Sequence, residues 1–194
     1  WAVEALGWRE TMVGLAVVTL VVSAALWVFV KEPPKAQSAA PKGSVLDLLK
    51  VKALWLIFPM MFVNYAPAAG LRGLWIGPYG TQEFGATTSM IGTMTLVMGL
   101  AMIAGNFAYG PMDRLLGTRK WVVFGGNAIG ALGCFALFML PVGSSIWMAT
   151  ALLAVVGFSG ASFPVLIAHA RPFFPEHLTG RGVTLYNLFG IGGV

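Results

Sequence analysis

The sequence YGPMDRLLGTRK, Tyr109 to Lys120, sets the class of this protein, because it concentrates charge between two long apolar runs. Four charged residues fall in eight positions, and they are Asp113, Arg114, Arg119 and Lys120. The runs on either side, residues 87–109 and 121–140, carry no charged residue. Each run has about the 20 residues that a helix needs to cross the hydrocarbon core of a membrane. The pattern predicts a short loop that joins two antiparallel membrane spans.

The composition predicts the same class for the whole chain. Of its 194 residues, 58% are hydrophobic and 10% are charged, and the mean hydropathy is +0.82. A soluble globular domain has about 25% charged residues. The expected fold is therefore an all-α membrane protein, a multi-span helical bundle with the lipid bilayer as its surroundings.

Five apolar runs are long enough to span a membrane: residues 11–30, 53–78, 87–109, 121–140 and 145–170. A sixth begins near Val183 and stops at Val194, and its roughly 12 residues would reach only about 18 Å. The chain is therefore expected to be a fragment that lacks further helices. Residues Trp1 to Glu10, ahead of the first run, are expected to form a loop.

The basic residues give the orientation of the spans. The loops that follow the first, third and fifth spans lie on the same side of the membrane, because each span crosses it once. These three loops hold ten of the 12 Lys and Arg residues, namely Lys31, Lys35, Lys42, Lys50, Lys52, Arg114, Arg119, Lys120, Arg171 and Arg181. Positive charge is retained on the cytoplasmic side, so these loops are assigned to the cytoplasm. Since topology explains the net charge of +5, nucleic acid is not an expected partner.

The first two spans are joined by a cytoplasmic linker, residues 31–52. Its first part, KEPPKAQSAAPKG, has no apolar period and is expected to be flexible or extended. Its second part, SVLDLLKVK, is either a short amphipathic helix at the membrane surface or the cytoplasmic start of the second span.

Two loops carry a resemblance to a known family. The Asp113-Arg114 pair and the later Gly-x-Arg-Lys end of YGPMDRLLGTRK resemble the signature loop of the major facilitator superfamily, Gly-x-x-x-Asp-Arg-x-Gly-Arg-Arg. This sequence departs from it with Tyr at position 109 and one residue inserted before Gly117. The stretch RPFFPEHLTGRG resembles the family's loop before its eleventh helix, through Pro175, Glu176, Arg181 and Gly182.

The resemblance implies a domain organisation and a function. Residues 1–30 would be the end of the N-terminal half, with an outer loop and a sixth-helix-like span, and residues 31–52 the linker between the halves. Residues 53–194 would be the C-terminal half, truncated in its fifth helix. A secondary transporter of a small solute, working by alternating access in the bacterial inner membrane, is implied. A membrane assembly or scaffolding protein of the same fold is the alternative.

The charged loop is a candidate for a cytoplasmic gate. A carboxylate such as Asp113 can accept hydrogen bonds at a helix N-terminus, and neighbouring arginines can bridge to helix carbonyls. Such contacts would hold one arrangement of helices. The alternative, favoured for Arg119 and Lys120, is that the charges anchor the loop at the lipid headgroups. Glu176 and Arg181 form the second candidate cytoplasmic loop.

Candidate substrate contacts lie in the second span, where Pro67 should kink or unwind the helix. Broken helices near the midplane are where transporters bind substrate. Counted from Ala53, Asn64 lies about 17 Å into the membrane and Arg72 about 28 Å. Asn64 and Tyr65 either contact substrate or join helices, and Arg72 either snorkels to the outer interface or draws an anion into a cavity.

The motifs of enzymes and metal sites are missing from the sequence. The single cysteine, Cys134, gives no metal pattern, and no phosphate loop or pair of membrane carboxylates occurs. We therefore expect no enzymatic activity, no metal and no cofactor. The expected partners are the bilayer, a small-molecule solute and the missing helices of the longer chain.

Overall fold

The structure, a computed structural model, describes residues 2–31 and 44–194, and every regular element within these ranges is a helix. Five helical stretches are long and apolar enough to cross a membrane: Trp8–Phe29, Lys52–Phe84, Thr88–Leu115, Arg119–Phe138 and Ile146–Phe173. Their number confirms the five predicted spans, and the all-α membrane fold is confirmed with it.

The chain divides into two units, Trp1–Ala40 and Pro41–Val194. In the first, helix α1 (Ala2–Leu6) is followed by α2 (Trp8–Phe29). The expectation of a loop before residue 11 was wrong, because the apolar count marks the hydrocarbon layer and not the helix end. Glu10, in the first turn of α2, suits the positive end of the helix dipole. The linker segment 32–43 lies outside the described residues.

The second unit begins with a short helix, α3 (Val45–Leu48), that is separate from the second span. Ser44 caps it, and the Asp47 carboxylate accepts from the Ser44 N–H at 2.9 Å, which completes a capping box. Leu48 is fully buried in a cluster with Leu178 and Tyr186. Of the two alternatives for SVLDLLKVK, the structure therefore has the separate helix, in which Leu48 packs on protein while Val45 and Leu46 are exposed.

The second span is interrupted and longer than the predicted 53–78. It consists of α4 (Lys52–Asn64), α5 (Ala66–Gly70), a π-helix (Leu71–Trp75) and α6 (Ile76–Phe84). Gly85 ends it in the left-handed conformation, with φ 57°, which glycine adopts without strain.

The third span, α7 (Thr88–Leu115), extends through most of the charged sequence quoted at the outset. The prediction of a loop from Tyr109 to Lys120 was wrong for this part: the turn is only residues 116–118, and α8 (Arg119–Phe138) begins directly after it. The helix continues beyond its apolar run because backbone hydrogen bonds persist until Gly117, which has φ 63°.

The remaining helices are α9 (Ile146–Gly160), α10 (Phe163–Ala170) and α11 (Thr179–Gly192). A two-residue turn separates α9 from α10, and two 3₁₀ turns, Arg171–Phe173 and Glu176–Leu178, precede α11. Helix α11 begins four residues before the predicted start of the sixth segment.

Helix α9 is the centre of the second unit, and small residues let its neighbours approach. A Cβ on Gly130 would lie 2.6 Å from Ser159 Oγ, and one on Gly157 would lie 2.8 Å from the Met98 side chain. The glycines singled out in the sequence, Gly126, Gly130, Gly157 and Gly160, all lie at such helix contacts. Their tight packing is therefore confirmed.

The contacts also fix the directions of the helices. Gly126 lies against Ser162 and Gly133 against Val156, so α8 runs antiparallel to α9–α10. Met98 lies against Gly157 and Gly105 against Ala161, so α7 runs parallel to α9. The alternation agrees with the predicted order of spans.

Candidate functional site

The interruption of the second span falls at Tyr65, between α4 and α5. Pro67 occupies the first turn of α5, where its fixed φ is favourable and its missing N–H costs nothing. The break therefore precedes the proline. The predicted interruption is confirmed, two residues earlier than Pro67 itself.

Asn64, at the end of α4, is a buried link between helices. Its side chain is 5% exposed, and Nδ2 donates to Ser162 Oγ at 3.0 Å. Ser162 lies in the turn between α9 and α10, so one hydrogen bond joins the breaks of two helices. This contact supports the interhelical alternative; a role of Asn64 in binding substrate stays a prediction.

Tyr65 is half-buried and packs on an aromatic ring across the same junction. Its ring centroid lies 5.2 Å from that of Phe163, the first residue of α10. The contact is apolar, and a substrate contact by Tyr65 stays a prediction.

Arg72 lies on the π-helix, where the Ile76 N–H donates to the Leu71 carbonyl five residues back. Its side chain is exposed, and no acidic side chain in residues 2–31 and 44–194 pairs with it. The position of Arg72 along the bundle follows from the neighbouring helix α9, since Ala68 lies against Gly160 of that helix. Arg72 is four residues, or about 6 Å, beyond Ala68 along its own span. Ile146, the first residue of α9, is about 21 Å from Gly160 in the same direction. Arg72 is thus roughly 15 Å inward of Ile146, nearer the midplane than the count from Ala53 indicates.

The three candidate substrate residues do not share the cavity that Asn64 lines. Asn64 lines a space of about 300 Å³ together with Pro67, Asn127 and Ser159. Neither Tyr65 nor Arg72 lines it, and the Arg72 side chain is exposed.

The charged sequence after α7 forms a three-way contact. Arg119 Nε donates to Asp113 Oδ2 at 3.0 Å, and Arg119 Nη1 donates to the Ala168 carbonyl at 2.9 Å. One guanidinium therefore joins the end of α7, the start of α8 and the last turn of α10. The headgroup alternative favoured for Arg119 does not describe this contact, while the expected bridging of an arginine to a helix carbonyl does.

The other charged candidates make lesser contacts. Lys120 Nζ lies 5.8 Å from the centroid of the Trp121 ring, a geometry suited to an interfacial anchor. Arg114 is exposed in the last turn of α7, where a cation is favourable. Glu176 and Arg181 are exposed at the start of the second 3₁₀ turn and in the first turn of α11. Their roles as loop residues stay predictions.

Sequence reasoning missed Ser162 and Tyr109. Ser162 precedes Phe163-Pro164, and a serine before a helix-starting proline was a usable signal for a helix break. Tyr109 was noted only as a departure from a motif, yet it is 3% exposed. Among the described residues no cluster of His, Cys, Asp or Glu could hold a metal ion.

Comparison with known proteins identifies the family. The sequence pattern of the Major Facilitator Superfamily matches residues 57–194, well over half of the chain. Neither the curated proteins nor the solved structures gave a significant match. The match begins within α4 and extends through α11, so it includes the break at Tyr65 and the three-way contact at Arg119. With its five apolar spans, the chain is an integral multi-pass membrane protein and belongs to the major facilitator superfamily, whose members are generally membrane transporters and not enzymes.

Proposed function

We propose that this protein is a secondary transporter of a small anionic solute and that it works by alternating access. The observation that carries the proposal is Arg72 on a π-helix within an interrupted span, an exposed guanidinium that pairs with no acidic side chain in residues 2–31 and 44–194. An arginine at membrane depth is costly and is retained for function. Since π-helical turns occur frequently at functional sites, the local geometry supports the same role.

The anionic character of the solute follows from the electrostatics of such a group. A fixed cation in a low-dielectric cleft attracts negative charge and repels positive charge. The planar guanidinium can grip two oxygens of a carboxylate, nitrate or phosphate-like group at once. Tyr65, two residues before Pro67, is proposed as a further contact. Asn64 is proposed as a support of the break.

Alternating access draws support from the Arg119 contact. An ion pair and a carbonyl contact at the cytoplasmic ends of three helices hold those ends in one arrangement. Their loss and re-formation would accompany the closing and opening of a cytoplasmic pathway. We propose the division into an N-terminal part at 1–30, a linker at 31–52 and a C-terminal bundle at 53–194, in the inner membrane of a bacterium.

The test is uptake by the full-length protein in proteoliposomes, with nitrate, inorganic phosphate and simple carboxylates as probes beside a set of organic cations. We expect uptake of one anion. Arg72→Lys should weaken the apparent affinity for the anion, because lysine keeps the positive charge but lacks the planar guanidinium that binds two oxygens at once. Arg72→Gln removes the charge as well and should nearly abolish uptake. Arg171→Gln, an exposed arginine outside the interrupted span, is the matched control and should transport normally.

One observation favours the scaffolding alternative, namely that Asn64, Tyr65 and Arg72 do not share a cavity. The same assay separates the two functions. Wild-type uptake by Arg72→Gln would remove the binding role, and absence of any uptake by a correctly inserted wild-type protein would favour the scaffold.

A further inference from the structure

Two helix breaks in the second unit lie side by side. One is at Tyr65, between α4 and α5, and the other is at Ala161 and Ser162, between α9 and α10. A proline follows each break, Pro67 in α5 and Pro164 in α10. Because proline has no N–H, neither residue can donate to the carbonyl four residues before it, so each span lacks a helical hydrogen bond at its break. Helices bend preferentially at such positions.

Two side-chain contacts join the end of α4 to the start of α10. Asn64 Nδ2 donates to Ser162 Oγ at 3.0 Å, and both residues are buried. One position further along each span, the ring centroids of Tyr65 and Phe163 lie 5.2 Å apart. A buried hydrogen bond is costly to break, because the groups left behind have no water to replace it. The two contacts therefore hold the cytoplasmic sides of both breaks together.

The outer segments are held to each other as well. Ala68 of α5 lies against Gly160, the last residue of α9. Further out, Ile76 of α6 belongs to a buried apolar cluster with Leu153 of α9 and Met98 of α7. Helices α5 and α6 therefore pack with α9 on the outer side of the breaks.

The cytoplasmic segments belong to a second buried cluster, which includes Phe58 of α4 and Leu166 of α10. The division between the two clusters thus falls at the level of the breaks. At its far end α10 is fastened to the start of α8, since Arg119 Nη1 donates to the Ala168 carbonyl at 2.9 Å. Helices α4 and α10 are therefore joined to each other at the breaks, while α10 is tied to its surroundings at the cytoplasmic end.

We propose that α4 and α10 move as one piece, which pivots at the two breaks when the Arg119 contact is released. The frame consists of α7 and α8, which run past the level of the breaks without interruption, and of the outer segments α5, α6 and α9. The Asn64–Ser162 bond and the Tyr65–Phe163 contact make a bend in one span accompany a bend in the other. The inference concerns the motion of this bundle and holds whether or not the protein transports an anion.

Distances between pairs of spin labels test this coupling in the full-length protein in lipid nanodiscs, in a Cys134→Ser background. Exposed positions for the labels are Leu56 in α4, Phe173 directly after α10 and Leu132 in α8. Arg119→Gln releases the end of α10 and should shift both distances to Leu132, while the Leu56–Phe173 distance, called the α4–α10 distance, stays unchanged. An α4–α10 distance that changes as much as the two distances to α8 would overturn the proposal, and so would three unchanged distances.

A variant that lacks both contacts at the breaks should uncouple the two segments. In the Arg119→Gln background, Ser162→Ala with Phe163→Leu should broaden the distribution of the α4–α10 distance. Thr150→Val with Phe124→Leu is the matched control, because Thr150 is buried but bonded within its own helix and Phe124 is 58% exposed; here the distribution should stay narrow. Equal distributions in the two variants would show that the contacts do not couple the breaks. If the uncoupled variant fails to insert, the three distances in Arg119→Gln alone decide.

Discussion

Arg119 and Asp113 form an ion pair across the turn between α7 and α8, with Nε and Oδ2 at 3.0 Å, while the same guanidinium reaches the Ala168 carbonyl. The side chains are 41% and 21% exposed, so water and headgroups screen the pair only in part. The pair matters less for its strength than for its position, because the same Arg119 guanidinium also ties the turn between α7 and α8 to the last turn of α10.

Neutralising Asp113 should loosen these helix ends. We expect Asp113→Asn to keep normal expression and insertion, since partly exposed ion pairs contribute about 0.2–1 kcal/mol. It should nevertheless shift the full-length protein between inward-open and outward-open states, measured by accessibility of cysteines near the cytoplasmic side. Asp47→Asn, which removes another exposed ion pair, is the control. Equal accessibility and uptake in both variants would leave Asp113 without a gating role.

The contact between α8 and the turn that joins α9 to α10 should depend on Gly126 and not on its neighbour Gly125. A Cβ on Gly126 would lie 2.9 Å from the Ser162 side chain, whereas one on Gly125 would meet nothing within 4 Å. Overpacking of this kind costs about 1–3 kcal/mol, so Gly126→Ala should lower the thermal unfolding midpoint in detergent. Gly125→Ala should not lower it. Equal midpoints for the two variants would contradict the close approach of these helices.

The two ends of α8 should lie on opposite sides of the membrane, because its 20 residues span about 30 Å. In a Cys134→Ser background, Leu116→Cys should react with an impermeant maleimide only from the cytoplasm, and Val142→Cys only from outside. Both positions are exposed. Labelling of the two from the same side would contradict the order of spans.

Acid should undock α3. The Lys50 ammonium, hydrogen-bonded to Asp47 at 2.7 Å, lowers the pKa of Asp47, and the Ser44 N–H and the charge of His177 lower it further. Since the folded pKa is depressed, the stabilisation is present above the ordinary value of 3.8 and is lost as the pH falls through the folded value.

Hydrogen exchange of the amides of residues 45–49, corrected for intrinsic rates, measures this loss. Protection should be constant near neutral pH and fall in strong acid, while Asp47→Asn should exchange faster at neutral pH and respond less to acid. Protection that persists unchanged well below pH 3.8 would refute the role of the capping box.

The class and the number of spans could be predicted because hydrophobicity over about 20 residues is a local property. The break near Pro67 was equally local, since proline acts on its own turn. The ends of α2 and α7 could not be predicted this way. A helix ends at capping residues and at glycines such as Gly117, and the length of an apolar run does not show where these residues fall.

The site was harder to predict because its contacts join distant parts of the chain. Asn64 and Ser162 are 98 residues apart, and Arg119 and Ala168 are 49 apart. The sequence showed that Asn64 was polar inside an apolar run, but not which helix would face it. Three neighbours along one span, Asn64, Tyr65 and Arg72, were grouped by proximity in sequence, but the break at Tyr65 and the π-helix at Leu71–Trp75 interrupt the regular helix between them.

The π-helix at Leu71–Trp75 has a consequence for a change in the length of the span. A π turn holds one residue more than an α turn. Removing one residue there would let the segment close as a regular α-helix, and the residues on either side would keep their faces. Ile76 would stay packed among Met94 and Met98, while Arg72, inside the π turn, would point in a different direction relative to the rest of the span. Relatives that lack the extra residue should therefore present a different side chain at this depth, and substrate preference should change with the length of this segment.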